Sequence, residues 1–116
     1  LEGRLYTWGD EPPDEQPRYS ELWLAGPERV GLRPPNGYGI YDISENVHEW
    51  CADWYADDYY AVSPLENPQG PAVGARRASR GGSWRHRVKI TRVAARSRLA
   101  PDFRYSDYGF RCALGL

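Results

Sequence analysis

Hydrophobic positions in this chain come in short bursts, not in long periodic runs. Residues 1–10, LEGRLYTWGD, predict a short extended piece closed by a Gly-Asp turn. EPPDEQP at 11–17 reads as a polar loop, because its three prolines block both helix and ladder hydrogen bonds. RYSELWLAG at 18–26 predicts one amphipathic turn, with Leu22 and Trp23 as buried candidates, and PERVGLRPP returns to loop. NGYG at 36–39 is a tight-turn signal. Behind it, Ile40, Ile43, Val47 and Trp50 recur at a spacing of mostly three or four, which suits a helix. DISENV also carries turn chemistry, and a short strand over residues 49–55 accommodates the same side chains. Periodicity leaves both open.

The second half reads more simply. Residues 56–74 are loop, with one helical turn at 57–61. ARRASRGGSW predicts a strand running into a Gly-Gly bend. TRVAARS at 91–97 predicts a strand, with Val93 and Ala95 on one side and Arg92 and Arg96 on the other. RLAPDFRYSDY is loop, and GFRCALGL closes the chain as a strand with Phe110, Cys112 and Leu114 on one face. Regular structure should therefore be scarce and carried by hairpin-like pairs. The segments 36–54, 76–84 and 108–114 are the richest in aromatic and charged side chains, and we expect them to be neighbours.

Composition sharpens this picture. At 116 residues the chain is one domain with one core. Five Trp, nine Tyr, 12 Gly and 10 Pro point to aromatic slabs packed between irregular loops, with indole and phenol groups needing hydrogen-bond partners. No apolar run approaches the ~20 residues of a membrane span, and no signal or lipidation motif appears, so we expect no membrane and assign no compartment. The chain opens on Leu1 and contains no Met, as expected of a piece of a longer protein.

Charge is divided unevenly. Residues 1–75 hold 4 Arg and 14 Asp or Glu; residues 76–116 hold 10 Arg, Lys89 and two Asp. The simplest expectation is that the acidic half pairs with the basic half. A groove for an anionic ligand is the sharper alternative, and a net charge of −1 argues against nucleic acid. Cys51 and Cys112 form no CxxC pair and read as two buried thiols, with a disulfide between them the alternative that sequence leaves open. With His48 and His86 they make a nominal two-Cys, two-His set. Only His48 and Cys51 are close in sequence, so this spacing does not predict zinc.

Six pieces in order carry a family resemblance: RLYTWGDEPP at 4–13, NGYGIYDISENVHEWCADWY at 36–55, NPQGP at 67–71, RGGSW at 80–84, RVAARS at 92–97 and YGFRCA at 108–113. Together they resemble the formylglycine-generating enzyme (sulfatase-modifying factor) family across almost the whole chain. The resemblance implies an α+β, loop-rich, elaborated C-type-lectin-like fold with a small antiparallel sheet and little helix. It also implies that residues 1–116 are the C-terminal part of the family's domain.

The family's oxidase chemistry uses a cysteine pair between the GGS and AARS motifs, with copper held between the thiolates. Here that interval is RHRVKIT, without cysteine, so we expect no copper and no formylglycine synthesis. The resemblance implies a calcium site in the loop at 42–49. Asp42 and Glu49 would offer side-chain oxygens, and Glu45 and Val47 backbone carbonyls, as a hard cation of 6–8 oxygens requires. Glu45 stands where the family has Gly, at a cost of about 1 kcal/mol if that residue needs a positive φ. Arg80, Arg96 and Arg111 match family positions and are expected to brace the acidic loop through Asp42, Glu49 or Asp53.

Function is then expected to be a non-catalytic ligand- or protein-binding module. Its surface would be Trp84, Arg85, His86, Arg87, Arg104, Tyr105 and Tyr108, side chains of the kind that dominate recognition. One alternative is the pocket-forming C-terminal part of a hercynine-oxygenase-like enzyme or divergent sulfatase-modifying factor, with metal ligands on another segment. Another is a variable ligand-binding protein of a diversity-generating retroelement, whose frame RGGSW…GFR resembles. Partners would be an unidentified protein or small molecule, and exposed edge strands invite pairing with a second copy.

Overall fold

The structure is a computed structural model and describes residues 3–11, 24–86 and 91–114. The expectations for 12–23, including Leu22 and Trp23, and for Arg87 lie outside the described residues. Among the described residues the regular structure is four strands and one 3-10 turn: β1 His48–Trp54, the turn Tyr59–Ala61, β2 Arg77–Arg80, β3 Ser97–Leu99 and β4 Tyr108–Gly109. They form one sheet in the order β3-β2-β1-β4, antiparallel through β3, β2 and β1 and parallel where the short β4 joins β1. No helix among the described residues is long and apolar enough to cross a membrane.

The run Ile40–Trp50 is not a helix. Residues 42–47 are a chain of bends, and β1 begins at His48. Asp42 (φ 58°) and Asn46 (φ 68°) adopt the left-handed region, which an α-helix excludes and which short polar side chains tolerate. Asn46 is held there by a two-way clip to Glu28: its Oδ1 accepts the Glu28 amide at 3.0 Å and its Nδ2 donates to the Glu28 carbonyl at 3.2 Å. The NGYG turn forms as predicted. Gly39 N–H donates to the Asn36 carbonyl, and Asn36 Oδ1 accepts the amides of Tyr38 and Ile40.

β2 runs into the Gly-Gly bend as expected, with Gly81 at φ 81°. The predicted strand at 91–97 is displaced: pairing with β2 starts at Ser97, and residues 92–95 form a turn closed by Ala95 N–H to the Arg92 carbonyl. Arg80 reaches across to the carbonyls of Ala94 and Ala95 at 3.0 and 3.1 Å, which satisfies this turn without a ladder. Leu99 and Arg98, read from sequence as loop, belong to β3. The closing strand is two residues long. Phe110 (79 % exposed), Cys112 and Leu114 are exposed, so the predicted apolar face of that strand is absent. At the other end, residues 3–11 are bends instead of an extended piece, because Tyr6 and Gly9 exchange both backbone hydrogen bonds.

The three rich segments do converge. β1 lies between β2 and β4, and Arg111 reaches back to Tyr41 and Glu49. What they bury is more polar than an aromatic slab. Among the described residues the buried set is Tyr6 and Ala78 with Ser44, Glu45, Asn46, His48, Ser79, Ser83, Thr91 and Asp107. Among the described residues Trp8, Trp50, Trp54 and Trp84 sit half-buried, as do Tyr55, Tyr59 and Tyr108, while Tyr38, Tyr41, Tyr60 and Tyr105 are exposed.

Candidate functional site

Asp107 is the buried tie between two loops. It is 3 % exposed and accepts a hydrogen bond from Ser83 Oγ at 3.2 Å. Arg85 Nη1 lies 3.6 Å from its Oδ1, and His86 Nε2 lies 3.5 Å from its Oδ2. Its backbone carbonyl accepts the His48 amide at 2.8 Å, which starts β1. One carboxylate therefore sets the loop 83–86 against residues 103–108 and anchors both to the sheet. Leaving it unpaired would be costly, since a buried anion needs compensating donors.

An aromatic ladder continues from this tie. Phe103 and Tyr105 stack at 6.2 Å, Tyr105 and Tyr108 meet at 6.4 Å, and Tyr108 contacts both His48 at 5.1 Å and Trp50 at 5.0 Å. Ser79 Oγ bonds the Tyr108 hydroxyl at 3.3 Å, fixing the ring over β2. His48 is 2 % exposed, and its Nδ1 bonds the Gly81 carbonyl at 2.9 Å. Burial pushes its imidazole below the ordinary histidine value, so the ring is neutral near pH 7. That bond makes Nδ1 the protonated nitrogen and leaves Nε2 as the nitrogen that carries the lone pair. The ligand-capable atoms of His48, His86 and Asp107 all lie within 4.8 Å of one another.

The predicted recognition residues thus fall into one region. Arg85 and His86 stand half-exposed on one loop; Arg104 and Tyr105 are exposed on the other; Tyr108 and Trp84 are half-buried beneath them. The buried Trp84 Nε1 has no acceptor among the described residues. Asp107, Ser83 and Phe103 were missed by the sequence reading, and His48 entered it only through the nominal two-Cys, two-His set. A signal existed for one of them: Asp107 is one of two carboxylates in a forty-one-residue stretch with eleven basic side chains.

The acidic loop is a separate feature. Asp42, Val47 and Glu49 line one cavity of about 350 Å³ with Val30, Gly31, Tyr41, Asn46, Phe110 and Arg111. Glu45 lines a different hollow, with Thr7, Trp8 and Ser44. Asp42 Oδ2 accepts the Gly31 amide at 2.8 Å. Glu49 is gripped by Arg111, at 2.9 Å from Nε and 2.5 Å from Nη2. Glu45 has no positive φ; Asp42 and Asn46 on either side do, so the expected strain at Glu45 does not arise. The oxygen donors of Asp42 and Glu49 suit a hard cation, and Arg111 is the guanidinium that would share Glu49 with it.

Of the three arginines expected to brace this loop, only Arg111 does so. Arg80 serves the turn at 94–95, while Arg96 donates to the Ala56 carbonyl and lies over the Tyr55 and Tyr60 rings. Among the described residues, ion pairs between the acidic and basic halves are Arg111–Glu49 and Arg98–Asp57. The cysteines are free: Cys51 is half-buried on β1 and Cys112 is exposed, so the reading of two buried thiols fails for Cys112. Burial pushes the Cys51 thiol above its ordinary value.

Residues 1–116 match the sulfatase-modifying factor enzyme 1-like domain. The chain is similar to the formylglycine-generating enzyme of Streptomyces coelicolor, at 40 % identity over 97 % of this chain and 41 % of that one. It is also similar to the serine/threonine-protein kinase pkn1 of Chlamydia pneumoniae, at 51 % identity over 81 % of this chain and 16 % of the kinase. The chain therefore spans less than half the length of either relative. Among solved structures, Treponema denticola variable protein 1 superimposes with a TM-score of 0.63 and 38 % identity, covering 74 % of this chain and 31 % of that one. The match along the whole sequence and the shared architecture agree: the chain belongs to the formylglycine-generating enzyme, or sulfatase-modifying factor, family.

Proposed function

We propose that this chain is a recognition module on a formylglycine-generating-enzyme-type scaffold, and that it binds a protein segment across loops 83–86 and 103–108. The observation that carries the reading is Asp107. A buried carboxylate that fixes two loops side by side pre-organises their exposed Arg85, His86, Arg104, Tyr105 and Phe103, and pre-organisation lowers the entropy cost of binding. Arginine and tyrosine are the side chains from which binding hot spots are built. The likeness to a variable protein supports the same reading, and the interval 85–91 has no cysteine with which to repeat the family's oxidase chemistry.

Panning a random peptide library on the folded protein tests this. Selected peptides should bind the wild type and lose at least about tenfold in affinity against Arg85→Ala combined with Tyr105→Ala, with the melting temperature unchanged. Peptides that bind both proteins equally would place recognition elsewhere.

The acidic loop serves this module as a structural element. Calcium held by the Asp42 and Glu49 carboxylates and the Val47 carbonyl would tie the loop to β1, with Arg111 as the competing cation; Glu45, which lines the other hollow, is not needed for it.

A further inference from the structure

We propose that His48, His86 and Asp107 form a divalent transition-metal site, with zinc as the natural probe, at the floor of the two-loop surface. Sequence spacing speaks against zinc because Cys112 lies far from His48 and Cys51. The structure brings the two histidines of that nominal set together and supplies a carboxylate in place of the thiols. Two imidazoles and one carboxylate are a borderline donor set of the kind that holds zinc while leaving coordination positions open.

Three features go beyond mere proximity. First, His48 is fixed as a ligand would be: Nδ1 bonds the Gly81 carbonyl at 2.9 Å, which sets the tautomer and leaves Nε2 as the nitrogen able to ligate. Second, Asp107 is oriented by Ser83 Oγ at 3.2 Å, a hydrogen bond that positions the carboxylate and leaves it further lone pairs. Third, the cluster is rigid on one side and adjustable on the other. His48 and Asp107 are buried, while the His86 side chain is half-exposed at a turn closed by its amide on the Ser83 carbonyl.

Tetrahedral bonds of ~2.0–2.1 Å place donors about 3.3 Å apart. The donor atoms now lie within 4.8 Å of one another, with His86 Nε2 already 3.5 Å from Asp107 Oδ2, so binding requires the three side chains to draw together by an ångström or so. Arg85 Nη1 lies 3.6 Å from Asp107 Oδ1, and it would turn outward toward solvent or pair with an anionic group at the open metal positions.

The site does not depend on the recognition reading, since a metal titration needs no ligand. Zinc is titrated calorimetrically into chelator-treated full chain, alongside His86→Ala and Asp107→Asn and the double variant Cys51→Ser/Cys112→Ser. The expected result is one zinc per chain, an affinity at least about tenfold weaker in His86→Ala, and unchanged binding in the cysteine-free variant. His86 is half-exposed, so its variant should melt like the metal-free wild type; Asp107→Asn is informative only beside it. Cobalt substitution should give a visible spectrum without a thiolate-to-metal charge-transfer band. Absent binding, binding indifferent to His86→Ala, or binding lost with the cysteines overturns the proposal.

Discussion

Gly82 shows how tightly the loops are set. A Cβ there would stand 2.2 Å from the Ser44 carbonyl oxygen and 2.3 Å from Thr91 Cγ2, both closer than any relaxed contact. Gly82→Ala should therefore destabilise by about 2–3 kcal/mol, read as a lower urea midpoint, whereas Gly37→Ala, with open space around it, should stay within about 0.5 kcal/mol. The two cysteines give a second test at this scale. Cys51 is half-buried with its thiol held above the ordinary range, and Cys112 is exposed. Less thiolate and less access both slow reaction, so at mildly alkaline pH iodoacetamide should modify Cys112 first, and mass mapping after brief treatment should find it there. Individual residues were also the least legible scale in the sequence. Nothing local marks Asn46 as the side chain that clips Glu28, because its partner lies eighteen residues away.

At the level of elements, the loop 42–47 and the closing segment decide the fold around β1. The spacing of Ile40, Ile43, Val47 and Trp50 satisfies a helical template, yet two left-handed residues interrupt it. Asx turn chemistry was visible in NGYG and in DISENV, and it outweighed periodicity. The strand at 91–97 was misplaced for a different reason: alternation alone cannot tell a ladder from a turn whose carbonyls are taken by Arg80, fourteen residues upstream. Arg111 joins the closing segment to β1 through a two-pronged pair with Glu49. A double-mutant cycle of Arg111→Ala with Glu49→Gln should give a coupling of about 0.5–1 kcal/mol that fades with salt, since the arginine is substantially exposed. Calcium at the same loop should raise the melting temperature by a few degrees at millimolar concentration relative to chelator, and Asp42→Asn should reduce that rise. An unchanged melting curve contradicts a stabilising ion.

For the whole molecule, family membership and the convergence of three segments were legible because motif order survives even where secondary structure is irregular. The candidate surface proposed for recognition was half legible. Aromatic and arginine side chains announced it, but the buried carboxylate that assembles it lies in a loop whose sequence, RYSDY, gives no periodic signal. This domain is organised by polar ties, with Asp107, Asn46 and Arg80 holding loops that a small apolar core leaves unsupported. Recognition by the pre-organised pair of loops is the central claim, and amide hydrogen exchange with and without a selected peptide tests it most directly. Protection should rise at 83–86 and 103–109 and stay level along 56–75. Protection gained elsewhere, with those two loops unaffected, would contradict the account.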